Sequence, residues 1–119
     1  MLMAPLTIRE ARPDEAALLS ALAIRSKGHW GYDTELLEAW RADLTLTPQD
    51  IAGSASFVCE GAAGLLGFSR VVLMDERTAE LDALFVDPTA IGAGAGKLLW
   101  ERSVAAAREL GAQDLVLQS

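Results

Sequence analysis

Three glycines alternate with small residues in the run Ile91-Gly92-Ala93-Gly94-Ala95-Gly96-Lys97. A strand-like stretch precedes the run and a helix-like stretch follows it. Glycines at that junction leave a row of backbone N–H groups open to a ligand. The start of a helix also carries unpaired donors and the positive end of the dipole. Such a row can close on a phosphate. Two familiar phosphate loops do not fit. A Walker loop needs Gly-Lys-Ser/Thr, whereas Lys97 is followed by Leu98. A dinucleotide fingerprint needs G-x-G-x-x-G after the first strand of its unit, whereas this spacing is G-x-G-x-G after the fourth. A surface loop or a small-residue packing face would also look like this in isolation.

A second cluster is Gly28-His29-Trp30-Gly31-Tyr32, which holds the only histidine and the only tyrosine of the chain. Its aromatic side chains can clamp an amine by stacking or a cation–π contact. His29 or Tyr32 can move protons. The alternative is a helix-break loop anchored by Trp30 and Tyr32. A third group is acidic. Strand alternation puts Glu80, Asp82, Leu84 and Val86 on one face. Two carboxylates side by side raise the pKa of one of them toward a useful range. Otherwise both are solvated surface acids. Cys59 lies in the apolar run Ser56-Phe57-Val58-Cys59 and reads as a core residue.

The elements that must position these groups follow from periodicity. Leu6–Arg9 alternates as a first strand. Pro13-Asp14-Glu15 opens a helix that runs to about Lys27. Thr34 to about Asp43 is a second helix, and Thr47-Pro48-Gln49-Asp50 caps a short helical turn. Strands follow at Ser56–Glu60, Leu65–Met74 and Ala79–Val86, the last stopped by Asp87-Pro88. Gly94 to Leu110 is helical, with Ala95, Leu98, Leu99, Ala106 and Leu110 on one face. Gly111 ends it, and Asp114–Gln118 is a last strand. The order β-α-α-β-β-β-α-β implies an α/β (α+β) fold: a mixed, mostly antiparallel sheet with flanking helices.

Composition bounds the function. With 119 residues, about half of them apolar, the chain makes a single domain with one core. No window has the length of a membrane span, and Met1–Pro5 lacks a secretory layout. One cysteine excludes an internal disulfide and a multi-cysteine metal site. These features point to a cytoplasmic protein with no membrane partner. A net charge of −7 with no basic patch argues against nucleic acid.

The stretch Leu84-Phe85-Val86-Asp87-Pro88-Thr89-Ala90-Ile91-Gly92-Ala93-Gly94-Ala95-Gly96-Lys97-Leu98-Leu99 resembles the acetyl-CoA signature of the GNAT superfamily of N-acetyltransferases. There a strand ends in hydrophobic-x-Pro, and Arg/Gln-Gly-x-Gly-x-Gly/Ala then opens a helix. The order of elements matches that fold from its first strand through its fifth. The resemblance implies attack by a substrate amine on the thioester of acetyl-CoA, with no metal. It implies that the backbone of Leu84, Phe85 and Val86 holds the pantetheine and polarises the carbonyl. It implies that Ile91, Gly92, Ala93, Gly94, Ala95, Gly96 and Lys97 hold the pyrophosphate, chiefly through the N–H groups of Ala93 to Lys97. Ile91 replaces the family's Arg or Gln. Glu80 falls where some members place a carboxylate base, with Asp82 beside it. His29, Trp30 and Tyr32 fall at the border of the acceptor pocket. Members often use a C-terminal tyrosine as general acid, and Tyr32 is the only phenol here. The family's further helix and strands lie beyond Ser119, so the sequence reads as a C-terminally incomplete domain. Its last strand, together with Trp100 and Val104, is then open to a partner, such as the second copy of a homodimer covering the sheet edge.

The leading expectation is an acetyl-CoA-dependent N-acetyltransferase acting on an amine of a small molecule or protein. A non-catalytic acyl-CoA-binding module and an interaction domain with a vestigial loop are the alternatives.

Overall fold

The computed structural model describes residues 6–29, 33–62 and 64–117. Its strands are β1 (Thr7–Glu10), β2 (Ala55–Gly61), β3 (Gly64–Leu73), β4 (Thr78–Val86) and β5 (Asp114–Leu117). Its helices are α1 (Ala16–His29), α2 (Thr34–Leu44), α3 (Pro48–Ala52) and α4 (Ala95–Glu109). Single 3-10 turns at Pro13–Glu15 and Pro88–Ala90 lead into α1 and into the glycine loop. The five strands form one sheet in sequence order. β1 to β4 are antiparallel to their neighbours, and β5 lies parallel to β4. The parallel step requires a crossover, and α4 supplies it. The α+β class and the mixed sheet expected from periodicity are therefore present.

Helices cover both faces of the sheet. On one face Leu19, Leu22 and Ala23 of α1 and Ile51 of α3 meet Val58 and Phe68, with Ala83 and Phe85 packed beside them. On the other, Ala95, Leu99 and Ala106 of α4 meet Phe57 and Cys59, and Ala107 meets Val71, Ala79 and Leu81. Burying Leu19, Leu22, Leu99 and Phe68 completely stabilises the fold by about 1.5–3 kcal/mol per side chain before entropy is counted. Cys59 is buried there too, and burial pushes its thiol pKa up.

Three local expectations change. α1 continues through Gly28 to His29 rather than ending near Lys27. On α4, Leu110 is exposed, and Ser103 occupies the buried centre of the helix face instead. The Ser103 hydroxyl donates to the Leu99 carbonyl at 2.7 Å and is hydrogen-bonded with the Ser69 hydroxyl at 2.8 Å, which makes it compatible with the core. The third change is a β-bulge. Arg70 pairs with Ala83 but Val71 pairs with Leu81, so Asp82 is an extra residue in β4. The bulge breaks the single face expected for Glu80, Asp82, Leu84 and Val86. Ala79 and Leu81 pack under α4, whereas two residues further along the chain Ala83 and Phe85 pack toward α1. Val86 lies on the α4 face.

A charged staple fixes the start of the chain onto the sheet. The Arg9 guanidinium donates two bonds to the Glu15 carboxylate, at 2.9 and 2.8 Å, and one to Glu60 at 2.6 Å. The Arg12 backbone N–H donates to Glu15 at 2.8 Å. Glu15 is buried, and the hydrogen bonds from Arg9 chiefly hold its pKa down at about 2.

Candidate active site

β4 runs out between two neighbours that part company. Its pairing with β5 stops at Leu81 and Leu117, whereas its pairing with β3 continues to Val86. From Asp82 onward β4 therefore has a strand on one side only, among the described residues. The chain then turns at Asp87. That carboxylate accepts from the Thr89 backbone N–H at 3.0 Å and from the Thr89 hydroxyl at 2.8 Å, capping the turn Pro88–Ala90. The Ala90 N–H donates to the Asp87 carbonyl at 2.8 Å.

The glycine loop follows. Gly92 and Gly94 have φ of 88° and 96°, the left-handed region that favours glycine. Gly94 is the N-cap of α4. A Cβ at Gly92 or Gly94 would meet no atom within 4 Å, so both α-carbons face open space. The Leu98 N–H is the first of the helix to find an acceptor, the Gly94 carbonyl at 3.1 Å. Among the described residues no acceptor faces the N–H groups of Gly92, Gly94, Ala95, Gly96 or Lys97. The Ala93 N–H differs from the expectation. It donates to the Ala90 carbonyl at 3.0 Å and so is engaged within the loop.

Four of these residues, Gly92, Gly94, Gly96 and Lys97, edge an open groove of about 520 Å³, whereas Ala95 is fully buried. Leu84 and Val86 form its strand wall, and Ala90, Ile91, Gly92 and Gly94 its loop wall. Gly96 and Lys97 contribute from α4, and Ser26 from α1. Phe85 does not line it. Its ring packs against Phe68 with centroids 5.6 Å apart. Ile91 is half-exposed at the groove lip. The groove has the shape and donors for a thin ligand with an anionic end at α4.

The acidic pair has separate surroundings. Asp82 forms an ion pair with Arg70 Nη1, and Arg70 Nε also donates to the Ser54 hydroxyl at 3.1 Å. Glu80 lies opposite Val72 on β3 and Val116 on β5. Its half-buried carboxylate makes no hydrogen bond or ion pair among the described residues. Glu80 is four residues from Leu84, about 13 Å along the strand. His29 is exposed at the C-terminal end of α1, one turn past Ser26. Trp30 and Tyr32 lie outside the described residues.

One link across the site was not read from the sequence. Arg25 of α1 donates to Asp87 Oδ2 at 2.9 Å from Nη2 and 3.3 Å from Nε. The only local signal was Asp87 itself, an Asp-Pro step that caps a turn.

Comparison with known proteins adds to this geometry. The model of the acetyltransferase (GNAT) family matches residues 18–119. No curated protein matches the sequence significantly. Among solved structures, PaiA N-acetyltransferase from Thermoplasma acidophilum in complex with coenzyme A superposes with a TM-score of 0.77 at 18% identity, over 90% of this chain and 74% of that one. A GNAT family acetyltransferase from Brucella melitensis in complex with acetyl-CoA gives 0.71 at 25% identity, over 98% and 77%. A GCN5-related N-acetyltransferase from Ralstonia eutropha gives 0.74 at 22% identity, over 97% and 84%.

Proposed function

The chain belongs to the acetyltransferase (GNAT) family, and from that premise we propose that it transfers the acetyl group of acetyl-CoA to an amine of a small molecule or protein. The observation that carries this reading is the row of unengaged N–H groups at Gly92, Gly94, Gly96 and Lys97, edging a groove that continues along β4. Four donors without acceptors at the groove edge suit the diphosphate of coenzyme A. The glycines keep side chains out of the approach path. The one-sided backbone of β4 beyond Asp82 suits the amide-bearing pantetheine arm, which can add to an open strand edge as a peptide does.

In this reading the thioester carbonyl lies along β4, and a backbone N–H of Leu84, Phe85 or Val86 donates to its oxygen as charge develops. Glu80 accepts, through intervening water, the proton that the acceptor amine must lose. The neutral nitrogen then forms a C–N bond to the carbonyl carbon, the C–S bond breaks, and the nitrogen, cationic after attack, gives up a second proton that balances the one the sulfur gains. The sulfur takes a proton, for which Tyr32 is the candidate donor. His29, Trp30 and Tyr32 are the candidates for contact with the acceptor. Asp82 serves a different end, holding Arg70 against α3 and fixing the bulge that redirects β4. No transferred atom passes through a metal.

Calorimetry with acetyl-CoA and thiol release with a panel of amines test the proposal. Saturable binding together with amine-dependent release is the expected result. Binding without release from any amine would leave only an acyl-CoA-binding module, and absent binding would remove the reading altogether.

A further inference from the structure

We propose that Arg25 is a positioning residue that neutralises Asp87 at the mouth of the glycine loop, so that a diphosphate meets the loop without a facing negative charge. The inference rests on the functional reading above. Asp87 is needed where it stands, because its Oδ1 caps the turn that sets the direction of the loop. Its backbone N–H also ties the end of β4 to the Leu66 carbonyl of β3, at 2.7 Å. Yet a carboxylate is a poor neighbour for an anion site. Asp87 stands one short turn, about 6 Å of rise, before Ala90, and Ala90 lines the groove. Asp87 is also firmly ionised. The Thr89 N–H, with the Thr89 hydroxyl and Arg25, holds its pKa below the usual aspartate value.

The two oxygens of Asp87 divide the work. Oδ1 serves the turn, and Oδ2 receives both bonds from Arg25. The Asp87 side chain is 15% exposed and that of Arg25 53%. The carboxylate is therefore sheltered, while the guanidinium sits on the solvent side. Nothing else among the described residues counters this charge at hydrogen-bond range. Lys97 lies across the groove, with its ammonium 3.9 Å from Glu101. The pair also joins α1, whose next residue Ser26 lines the groove, to the loop's entry. Ile91 leaves the loop itself without a charged side chain at its start. Arg25 meets that lack from another element, by cancelling a charge and not by touching the phosphate.

The test is a charge cycle read by calorimetric titration with acetyl-CoA at low and high sodium chloride. Arg25→Gln leaves Asp87 uncompensated and should weaken binding by about tenfold at low salt, with most of the loss gone at high salt. Arg25→Lys should stay within about threefold of the parent. Asp87→Asn keeps an oxygen for Thr89. Added to Arg25→Gln, it should restore affinity to within about threefold of the parent. A purely structural ion pair predicts the opposite, with the double variant at least as weak as Arg25→Gln and the loss insensitive to salt. Either that pattern or an Arg25→Gln protein that binds like the parent overturns this inference alone. A parent protein that binds no acetyl-CoA overturns the functional reading and this inference with it.

Discussion

Two polar regions of this molecule stand at opposite extremes. At the start of the chain Arg9, Glu15, Arg12 and Glu60 spend their charges on one another, and the buried carboxylate is saturated. At the glycine loop four backbone donors, those of Gly92, Gly94, Gly96 and Lys97, edge a groove with no acceptor. The same contrast separates two glutamates, since Glu15 is fully bonded and Glu80 makes no bond among the described residues. A fold that saturates its polar groups uses them for stability. Where it leaves them open beside a groove, they are available for a ligand. The first kind should respond to mutation in stability and the second in binding or turnover.

Gly94→Val probes the open extreme and should have the largest effect. A branched residue at φ of 96° distorts the N-cap of α4, and its side chain would extend into the groove. Acetyl-CoA affinity should fall at least ~100-fold, about 3 kcal/mol by calorimetry. A smaller loss than that of Arg25→Gln would break the contrast. Glu80→Gln comes next. It should lower kcat about 100-fold and leave acetyl-CoA affinity unchanged, measured with whichever amine supports thiol release. A change in affinity instead would move Glu80 out of proton transfer.

Glu15→Gln probes the saturated extreme and should act in reverse. Denaturant unfolding should show a loss of about 2 kcal/mol at pH 7 with affinity for acetyl-CoA intact. The sign of its pH dependence follows from the pKa. The folded value, about 2, lies below the ordinary 4.5. The stabilisation is therefore full above pH 4.5 and is lost as pH falls toward about 2. Parent and variant should converge in stability at that acid limit. Ser103→Ala is the mildest test. It leaves the Ser69 hydroxyl buried without its partner and should cost about 1 kcal/mol. Removing both hydroxyls together should cost less than the sum of the two single changes.

Much of this was legible from local chemistry. The Thr47-Pro48-Gln49-Asp50 cap, the alternation of the strands and the glycines at the start of α4 all act over a few residues, and the structure bears out each element. Site geometry was less legible, because it depends on register. The bulge at Asp82 has no signature in Leu81-Asp82-Ala83, so alternation wrongly carried one face through it. Asp82 and Arg70 are 12 residues apart, and Arg25 and Asp87 are 62 apart. Such pairs form only after the sheet and α1 have packed. Ser103 carries no apolar signal for the core, yet a helical serine can bond the carbonyl of the preceding turn and enter it. The Ala93 donor was counted as free because a sequence does not show which loop carbonyl turns inward.

The central claim is that the unengaged amides of the loop grip the diphosphate. Amide nitrogen–proton spectra during titration with acetyl-CoA test it most directly. The account predicts the largest saturable shifts at Gly92, Gly94, Gly96 and Lys97, smaller ones along Leu84–Val86, and an unmoved Arg12 amide, the one that bonds Glu15. Saturable binding with those four loop amides unmoved would contradict it.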